Sequence, residues 1–214
     1  MSTWEAVGTD LDLRARSLTH SLTPRFSARH LGSPGAGLPG LVFATLRPEW
    51  SVTLLDSLNK RCTFNTAAAE AMGLGNVDIL WSRAEEAGIN PAYREQYDIA
   101  TARAVADVRT LAELCLPLIK VGGYWVAPKG PDPEAEVRDG LRAVEELGGD
   151  DISIQRLGNK KNEENEENEE IEEIEENQEG TRDGPEFTVV TVFKARSTPS
   201  SYPRKANAIK KRPL

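Results

Sequence analysis

Short apolar runs alternate with helical segments through the central part of this chain. Candidate strands lie at residues 52–55, 77–80, 97–101 and 124–127, and two later β-rich segments lie at 152–157 and 187–193. Runs that are apolar at consecutive positions are typical of parallel strands buried on both faces. Because parallel strands need long crossover connections, usually helices, the alternation predicts an α/β fold. We expect a doubly wound, mostly parallel sheet with helices on both faces.

Helix signals follow several of these strands. Asp107 is a predicted N-cap for a helix whose apolar face continues into residues 111–118. Ser57 is the predicted cap of an earlier helix, in which Cys62 and Ala69 share one face. Asn65 interrupts that face. We expect both cysteines, Cys62 and Cys115, to pack in the core rather than to act as nucleophiles.

Charge divides the 214 residues into parts with different properties. The net charge is −8, but residues 159–184 alone hold 12 acidic and 3 basic residues, which leaves 34 − 12 = 22 acidic and 26 − 3 = 23 basic residues elsewhere. We expect little order in residues 1–30, a folded domain in 31–158 and 185–196, a low-complexity acidic insert at 159–184 and a basic tail at 197–214. The Glu/Asn repeat of the insert cannot pack; an acidic interaction arm is the functional alternative.

Composition excludes several classes of protein. The two cysteines rule out a disulfide framework and a cysteine-rich zinc module. The two histidines argue against a multi-histidine metal site. No apolar stretch reaches the length of a membrane span, so we expect a soluble protein. From residue 194 onward the chain has seven basic and no acidic residues. Such a segment suits the phosphates of a nucleic acid.

A glycine-rich loop and one aspartate point to a nucleoside cofactor. Gly32, Gly35 and Gly37 precede a helix-like run, and Asp56 ends the next strand. Glycines let a backbone approach a ligand closely, and an acidic residue at the end of the second strand accepts hydrogen bonds from ribose hydroxyls. Dinucleotides and S-adenosylmethionine both fit this arrangement, although the loop GAGLPG departs from the spacing expected for a dinucleotide.

Several segments, in order, resemble the RsmG/GidB family: GLPGLVFATLRPEWSVTLLDSLNKR, SRAEE, YDIATARAV, ELCLPLIKVGGYWVAPKG and the terminal YPR and KKRPL. The family consists of S-adenosylmethionine-dependent methyltransferases that modify a guanine N7 in small-subunit ribosomal RNA. The resemblance covers residues 31–157 and resumes at 187–214. It implies a Rossmann-like, class I methyltransferase fold. Within the family, the sequence most resembles the plant and algal branch. This resemblance implies a plastid protein, with the cytoplasm as the alternative.

The resemblance also implies roles for individual residues. The cofactor-binding set is Gly32, Gly35, Gly37, Leu38, Asp56, Ala84, Glu85 and Arg103. The catalytic pair is Arg103 and Lys129, and the RNA-binding set is Arg204, Lys205, Lys210, Lys211 and Arg212. The implied cofactor is S-adenosylmethionine and the implied partner is small-subunit ribosomal RNA. We expect a monomer that uses no metal and no membrane.

The expected chemistry needs no general base, because guanine N7 already carries a free lone pair. Alignment of the reacting atoms is sufficient, and arginine or lysine donors suit the O6/N7 edge of the base. Two features depart from the family: His30 stands where an aspartate is usual, and Pro34 is inserted in the loop. We therefore predict weakened cofactor binding. A non-catalytic RNA- or ribosome-binding derivative is the second hypothesis, and a methyltransferase with another substrate is the third.

Overall fold

The computed structural model of the protein describes residues 25–29, 37–102, 106–157 and 187–214, the first of these by its backbone alone. The strands are β1 (Arg25–Arg29), β2 (Ser51–Asp56), β3 (Val77–Trp81), β4 (Tyr97–Ala102), β5 (Ile119–Lys129), β6 (Gly149–Leu157) and β7 (Phe187–Lys194). The helices are α1 (Gly40–Leu46), α2 (Asn59–Ala71), α3 (Ala84–Ile89), α4 (Val108–Cys115), α5 (Glu134–Glu146) and α6 (Ala206–Lys211), with a 3-10 turn at Leu116–Leu118.

The described strands form one seven-stranded sheet in the order β3-β2-β1-β4-β5-β7-β6. Strands β1 to β5 are mutually parallel where they pair, and β7 runs antiparallel to both β5 and β6. The order reverses at β1, because the chain builds outward to β3 and then crosses to β4 on the other side. This confirms the predicted mostly parallel sheet, including its two closing strands.

Helices cover both faces of the sheet. Leu54 and Leu55 are adjacent on β2, so their side chains point to opposite faces. Leu54 packs with Leu41 and Ala44 of α1 and with Ala69 of α2. Leu55 instead packs in a cluster supplied by α3, α4 and α6, which contains Ala84, Ala87, Leu114 and Ile209. The sheet is therefore doubly wound, as predicted.

Strand β1 corrects the expectation of little order for the first 30 residues. Residues 25–29 (RFSAR) lie in the middle of the sheet, with Phe26 paired to Val52 of β2 on one side and to Ile99 of β4 on the other. The segment has no apolar run that would mark it locally. Its extended conformation is supported by backbone ladders on both sides, and strand formation depends strongly on such neighbours.

The helix signals had mixed outcomes. Asp107 caps α4 as predicted, since its Oδ1 accepts a hydrogen bond from Thr110 N at 2.9 Å. The predicted cap by Ser57 is wrong: α2 begins at Asn59, with no side-chain cap at Leu58. The Asp56 carboxylate instead stabilises the turn before the helix, because its Oδ1 accepts a bond from Leu58 N at 2.8 Å. Both cysteines are buried and free, as predicted.

The structure describes the basic segment of the chain but not the acidic insert. The acidic insert at 159–184 lies outside the described residues. Its neighbours, Leu157 and Phe187, pair with each other at the end of the β6–β7 hairpin. The basic segment 197–214 is described and is docked on the domain, since Ile209 of α6 is buried in the cluster around Leu55.

Candidate active site

The predicted site residues converge on the edge of the sheet where the parallel strands end. Asp56, the last residue of β2, pairs with Trp81, the last residue of β3. On the other side of β2, Arg29 ends β1 in register with Ala102, the last residue of β4. In open α/β sheets, ligands bind at this edge, next to the strand where the order reverses.

Asp56 presents a buried carboxylate at this edge. Only 5% of the residue is exposed. Oδ1 accepts the bond from Leu58 N, and Oδ2 lies 3.4 Å from Nη1 of Arg61. A carboxylate has about four acceptor positions, so capacity remains for hydroxyl donors from a ligand. Beside it, the Cys62 thiol faces the Asp56 carbonyl oxygen, and burial together with the Asp56 charge raises the pKa of Cys62.

Gly37 makes the tight turn that leads into α1. It is buried and has a φ of +69°, in the left-handed region that favours glycine. A Cβ added there would lie 2.7 Å from Leu41 Cδ1 and 3.0 Å from Asn65 Oδ1. The Gly37 carbonyl oxygen accepts the bond from Leu41 N at 2.9 Å. A side chain at this position would strain the backbone and displace Leu41 or Asn65.

Two residues of the predicted cofactor-binding set, Ala84 and Glu85, begin α3 directly after β3. Ala84 is fully buried beside Leu55, and Glu85 is mostly buried. Arg83, which precedes the helix, places Nη1 3.7 Å from Glu85 Oε1. Leu38, next to Gly37, is half-exposed. The fold therefore brings the described part of the predicted cofactor set to one edge of the sheet.

Lys129 differs from the other predicted residues because its ammonium group is enclosed. It ends β5, and its side chain is almost fully buried. Nζ donates to Glu136 Oε1 at 2.6 Å and to the Ala106 carbonyl oxygen at 3.2 Å. These contacts fix Lys129 against the connection between β4 and α4. They favour a positioning role over direct contact with a substrate.

Arg204 is engaged in a buried ion pair. Glu113 of α4 is 0% exposed, and Arg204 holds it with Nε to Oε1 at 2.8 Å and Nη2 to Oε2 at 2.5 Å. The Arg204 backbone N–H donates to the same Oε1 at 2.8 Å. The hydrogen bond with Glu113 raises the pKa of Arg204. This geometry fits an anchor for the C-terminal segment better than the phosphate contact predicted for Arg204.

The other predicted RNA-binding residues are exposed. They lie on or beside α6, and they are Lys205, Lys210, Lys211 and Arg212. Within the described part of the chain, no ion pair joins these four side chains to a carboxylate. Ile209, on the opposite side of the same helix, is buried against Leu55 and Ala84. The four cations are therefore carried on a helix that packs on the face of the sheet covered by α3 and α4.

Three of the predicted site residues lie outside the described residues: Gly32, Gly35 and Arg103. His30 and Pro34 lie outside them as well. In turn, sequence reasoning missed the residues that hold the C-terminal segment, namely Arg94, Glu113 and Lys194. Glu113 had a readable signal, because it is a charged residue inside the apolar stretch LAELCLPL. Arg94 and Lys194 had none, since most of the backbone carbonyl oxygens that they bind are far away in sequence.

The strand order, the reversal at β1 and the antiparallel β7 define the class of protein. They are those of the class I S-adenosylmethionine-dependent methyltransferases, and the site fits that cofactor. Gly37 makes a tight turn that disfavours any side chain, Asp56 offers a buried acceptor for hydroxyls, and the Asn65 Oδ1 beside the loop has no partner among the described residues. The chain belongs to the GidB family, described as rRNA small subunit methyltransferase G, whose family model matches residues 20–166.

Known proteins agree with this assignment. The ribosomal RNA small subunit methyltransferase G of Symbiobacterium thermophilum is 43% identical over 185 residues, which cover 84% of this chain and 67% of that protein. The chain spans about two thirds of the length of the curated relatives it matches. Among solved structures, the 16S rRNA (adenine(1408)-N(1))-methyltransferase of Catenulisporales acidiphilia is similar, with a TM-score of 0.56 and 16% identity over 87% of this chain and 94% of that one. The SAM-dependent O-methyltransferase of Thermotoga maritima has a TM-score of 0.52 and 16% identity, over 88% of this chain and 66% of that one.

Two negative findings apply to the described residues. They contain no cluster of three or more histidine, cysteine, aspartate or glutamate side chains arranged to hold a metal ion. They also contain no helix long and apolar enough to cross a membrane.

Proposed function

We propose that this chain is an S-adenosylmethionine-dependent methyltransferase that transfers a methyl group to guanine N7 of small-subunit ribosomal RNA. The observation that carries the proposal is the buried Asp56 carboxylate at the end of β2, on the same edge as the tight turn at Gly37. Family membership supplies the substrate class. The exposed cations of α6 support an RNA substrate over a small molecule.

In this proposal, residues of the glycine loop, β2 and α3 hold the cofactor. When bound, S-adenosylmethionine supplies a methyl group on a positively charged sulfur. Asp56 accepts hydrogen bonds from the ribose hydroxyls, and the backbone at Gly37, with Gly32 and Gly35, lies against the ligand. Leu38, Ala84 and Glu85 border its two ends. The only charged group required at the ribose is the Asp56 acceptor, which the fold already holds through Leu58 N.

The remaining residues orient the guanine. Its N7 lone pair is free, so no side chain has to remove a proton before the new N–C bond forms, and positioning is the main requirement. Arg103 donates to the O6/N7 edge of the base, for which a planar donor fork is suited. Lys129 acts through its bond to the Ala106 carbonyl oxygen, which fixes the connection that follows Arg103. In this proposal Lys129 is a positioning residue.

RNA phosphates bind the exposed cations of α6. Lys205, Lys210, Lys211 and Arg212 form this set, which we name the α6 basic surface. Ile209 connects the helix to Leu55 and Ala84, one residue from Asp56 and Glu85 respectively. The α6 basic surface therefore lies on a helix that shares a buried cluster with the neighbours of Asp56 and Glu85. Arg204 stays with Glu113 and stabilises this arrangement.

The direct test is methyl transfer to deproteinised small-subunit ribosomal RNA with labelled S-adenosylmethionine. We expect incorporation at a guanine, which reduction followed by aniline treatment reveals as strand cleavage because N7-methylated guanine is labile to that chemistry. Asp56→Ala should reduce cofactor affinity by at least about tenfold, the effect of losing one or two hydrogen bonds to a charged group. Asp78→Ala, an exposed carboxylate on β3, is the matched control and should have no effect.

The second candidate function is a non-catalytic RNA-binding derivative. His30 and Pro34, at positions where the family loop has an aspartate and no insertion, favour this candidate. Calorimetric titration with S-adenosylhomocysteine separates the two. Micromolar affinity supports the enzyme and contradicts the predicted weakening. Undetectable binding, with RNA binding retained, supports the derivative.

Two finer points are also part of the proposal: the chain acts as a monomer, and it acts in a plastid rather than in the cytoplasm. Only the resemblance to the plant and algal branch supports the compartment. Light scattering on the purified protein tests the first point, and a fluorescent fusion in plant cells tests the second.

A further inference from the structure

Asn65 carries a buried polar atom for which no partner is present in the described part of the chain. The residue is 4% exposed and lies in the middle of α2, between the buried Cys62 and Ala69. Its Oδ1 has no hydrogen bond to a described residue. The same oxygen would be 3.0 Å from a Cβ placed on Gly37. The free acceptor therefore lies directly against the tight turn at Gly37.

An unpaired buried acceptor destabilises the folded state, and an apolar residue of the same size would avoid this cost. The rest of the buried face of α2 is apolar, so nothing in the packing calls for an amide at this position. A buried, unsatisfied polar group in a native protein needs an explanation, for which a functional role is a recognised reason.

Asn76 shows what a structural asparagine looks like in this fold. Its Nδ2 donates to three backbone carbonyl oxygens, those of Ala44 at 3.1 Å, Trp50 at 3.0 Å and Arg47 at 3.4 Å. These bonds fix the connection between α1 and β2. Asn65 makes no comparable contact with the described residues. The two asparagines therefore differ in kind, and Asn76 serves as a matched reference.

We propose that Asn65 is a positioning residue for the cofactor loop: its Oδ1 accepts a backbone N–H at the Gly37 turn when the cofactor binds. The bond fixes the loop against the ligand and satisfies the buried acceptor in the same step. Without ligand, the acceptor stays unpaired and slightly destabilises the protein. Asn65 contacts the loop and not the reacting atoms. The inference rests on the proposal that the Gly37 loop binds S-adenosylmethionine.

The test compares three variants of the full chain by calorimetric titration with S-adenosylhomocysteine and by urea unfolding. Asn65→Leu keeps the size of the side chain and removes the acceptor. We expect it to be at least as stable as the wild type without ligand, yet to bind S-adenosylhomocysteine about tenfold more weakly, the effect of about 1.4 kcal/mol. Asn65→Asp keeps an acceptor and should retain most of the affinity. Asn76→Ala should lose stability and keep its affinity.

Amide hydrogen exchange supplies a second measurement. In the wild type, ligand should slow exchange of the amides of Gly37, Leu38, Gly40 and Leu41; in Asn65→Leu this protection should be largely lost. Equal affinity of wild type and Asn65→Leu would overturn the inference and leave the cofactor proposal intact. A matching loss of affinity in Asn76→Ala would also overturn it, because the effect would then follow from general destabilisation. If the wild type itself binds no S-adenosylhomocysteine, the cofactor proposal fails first.

Discussion

Glu113 is the single residue that most directly ties the C-terminal segment to the domain. It lies fully buried on α4, and three hydrogen bonds join it to the side chain and backbone of Arg204. Burial of a charge is costly unless the charge is paired and hydrogen-bonded. Removal of either partner alone therefore leaves the other charge without compensation.

Removing Glu113 should be strongly destabilising. We expect Glu113→Ala to lower the free energy of unfolding by about 3–5 kcal/mol, since it strands the Arg204 guanidinium. The double variant Glu113→Met with Arg204→Met should lose less, because both charges are gone. Urea unfolding measures both. The control is Glu134→Ala, which breaks the exposed pair with Arg156 and should cost at most about 1 kcal/mol. Equal losses for Glu113→Ala and Glu134→Ala would contradict this reading.

Helix α6 is the element that carries the RNA-binding cations in the proposed function. Its apolar contact is Ile209, buried in the cluster with Leu55, and its charged positions are exposed. Six residues are too few for a stable isolated helix, so α6 depends on the contacts that precede it. Arg94 supplies several of these: Nη1 donates to the Tyr202 carbonyl oxygen at 2.7 Å, and Nη2 donates to that of Thr198 at 2.6 Å.

Neutralising the α6 basic surface should weaken RNA binding without unfolding the protein. In the triple variant Lys210→Gln, Lys211→Gln and Arg212→Gln, we expect the slope of log affinity against log salt to fall by about 2, given a contribution of roughly 0.7 for each phosphate contact. Filter binding at several salt concentrations measures the slope. The control is Arg138→Gln with Arg142→Gln, two exposed cations on α5. A similar loss in this control would point to non-specific attraction.

At the scale of the whole molecule, the buried Lys194 makes the free energy of unfolding depend on pH. Lys194 ends β7 with no exposed surface, and its Nζ donates to the carbonyl oxygens of Leu116 at 2.8 Å and Leu147 at 3.1 Å. Burial lowers the pKa of Lys194 from 10.5 to about 8; the charge of Glu95 opposes this shift and that of Arg94 adds to it. The unfolded chain therefore binds more protons than the folded one between these two values.

The sign of the pH dependence follows from that difference. Below pH 8 the amine is charged in both states, and its burial cost is present in full. As pH rises from about 8 towards 10.5, the folded form loses its proton first and stability increases. We expect the free energy of unfolding of the wild type, relative to Lys194→Met, to rise by about 1 kcal/mol between pH 7.5 and 9. Urea unfolding across this range tests it, with exposed Lys205→Met as the control. A flat difference would contradict the prediction.

Local patterns predicted most of the elements but not all of the site. The apolar runs at β2 to β5 and the cap at Asp107 were readable because strand burial and capping are decided by neighbouring residues. β1 was missed because its partners, Val52 and Ile99, are distant in sequence. Lys129 and Arg204 were assigned their roles from the family resemblance, and local patterns did not indicate that Glu136 and Glu113 hold their side chains.

The sequence by itself determined the fold class, the family and the positions of Asp56 and the glycine turn. These depend on the order of strands, helices and short motifs, all of which are local in the chain. Tertiary structure decided which charges are available. It buried Lys194, paired Arg204 with Glu113 and left the α6 basic surface open. It also placed Asn65 against Gly37. The physical reason is that solvation and pairing of a charge depend on what packs around it, and those neighbours come from distant parts of the chain.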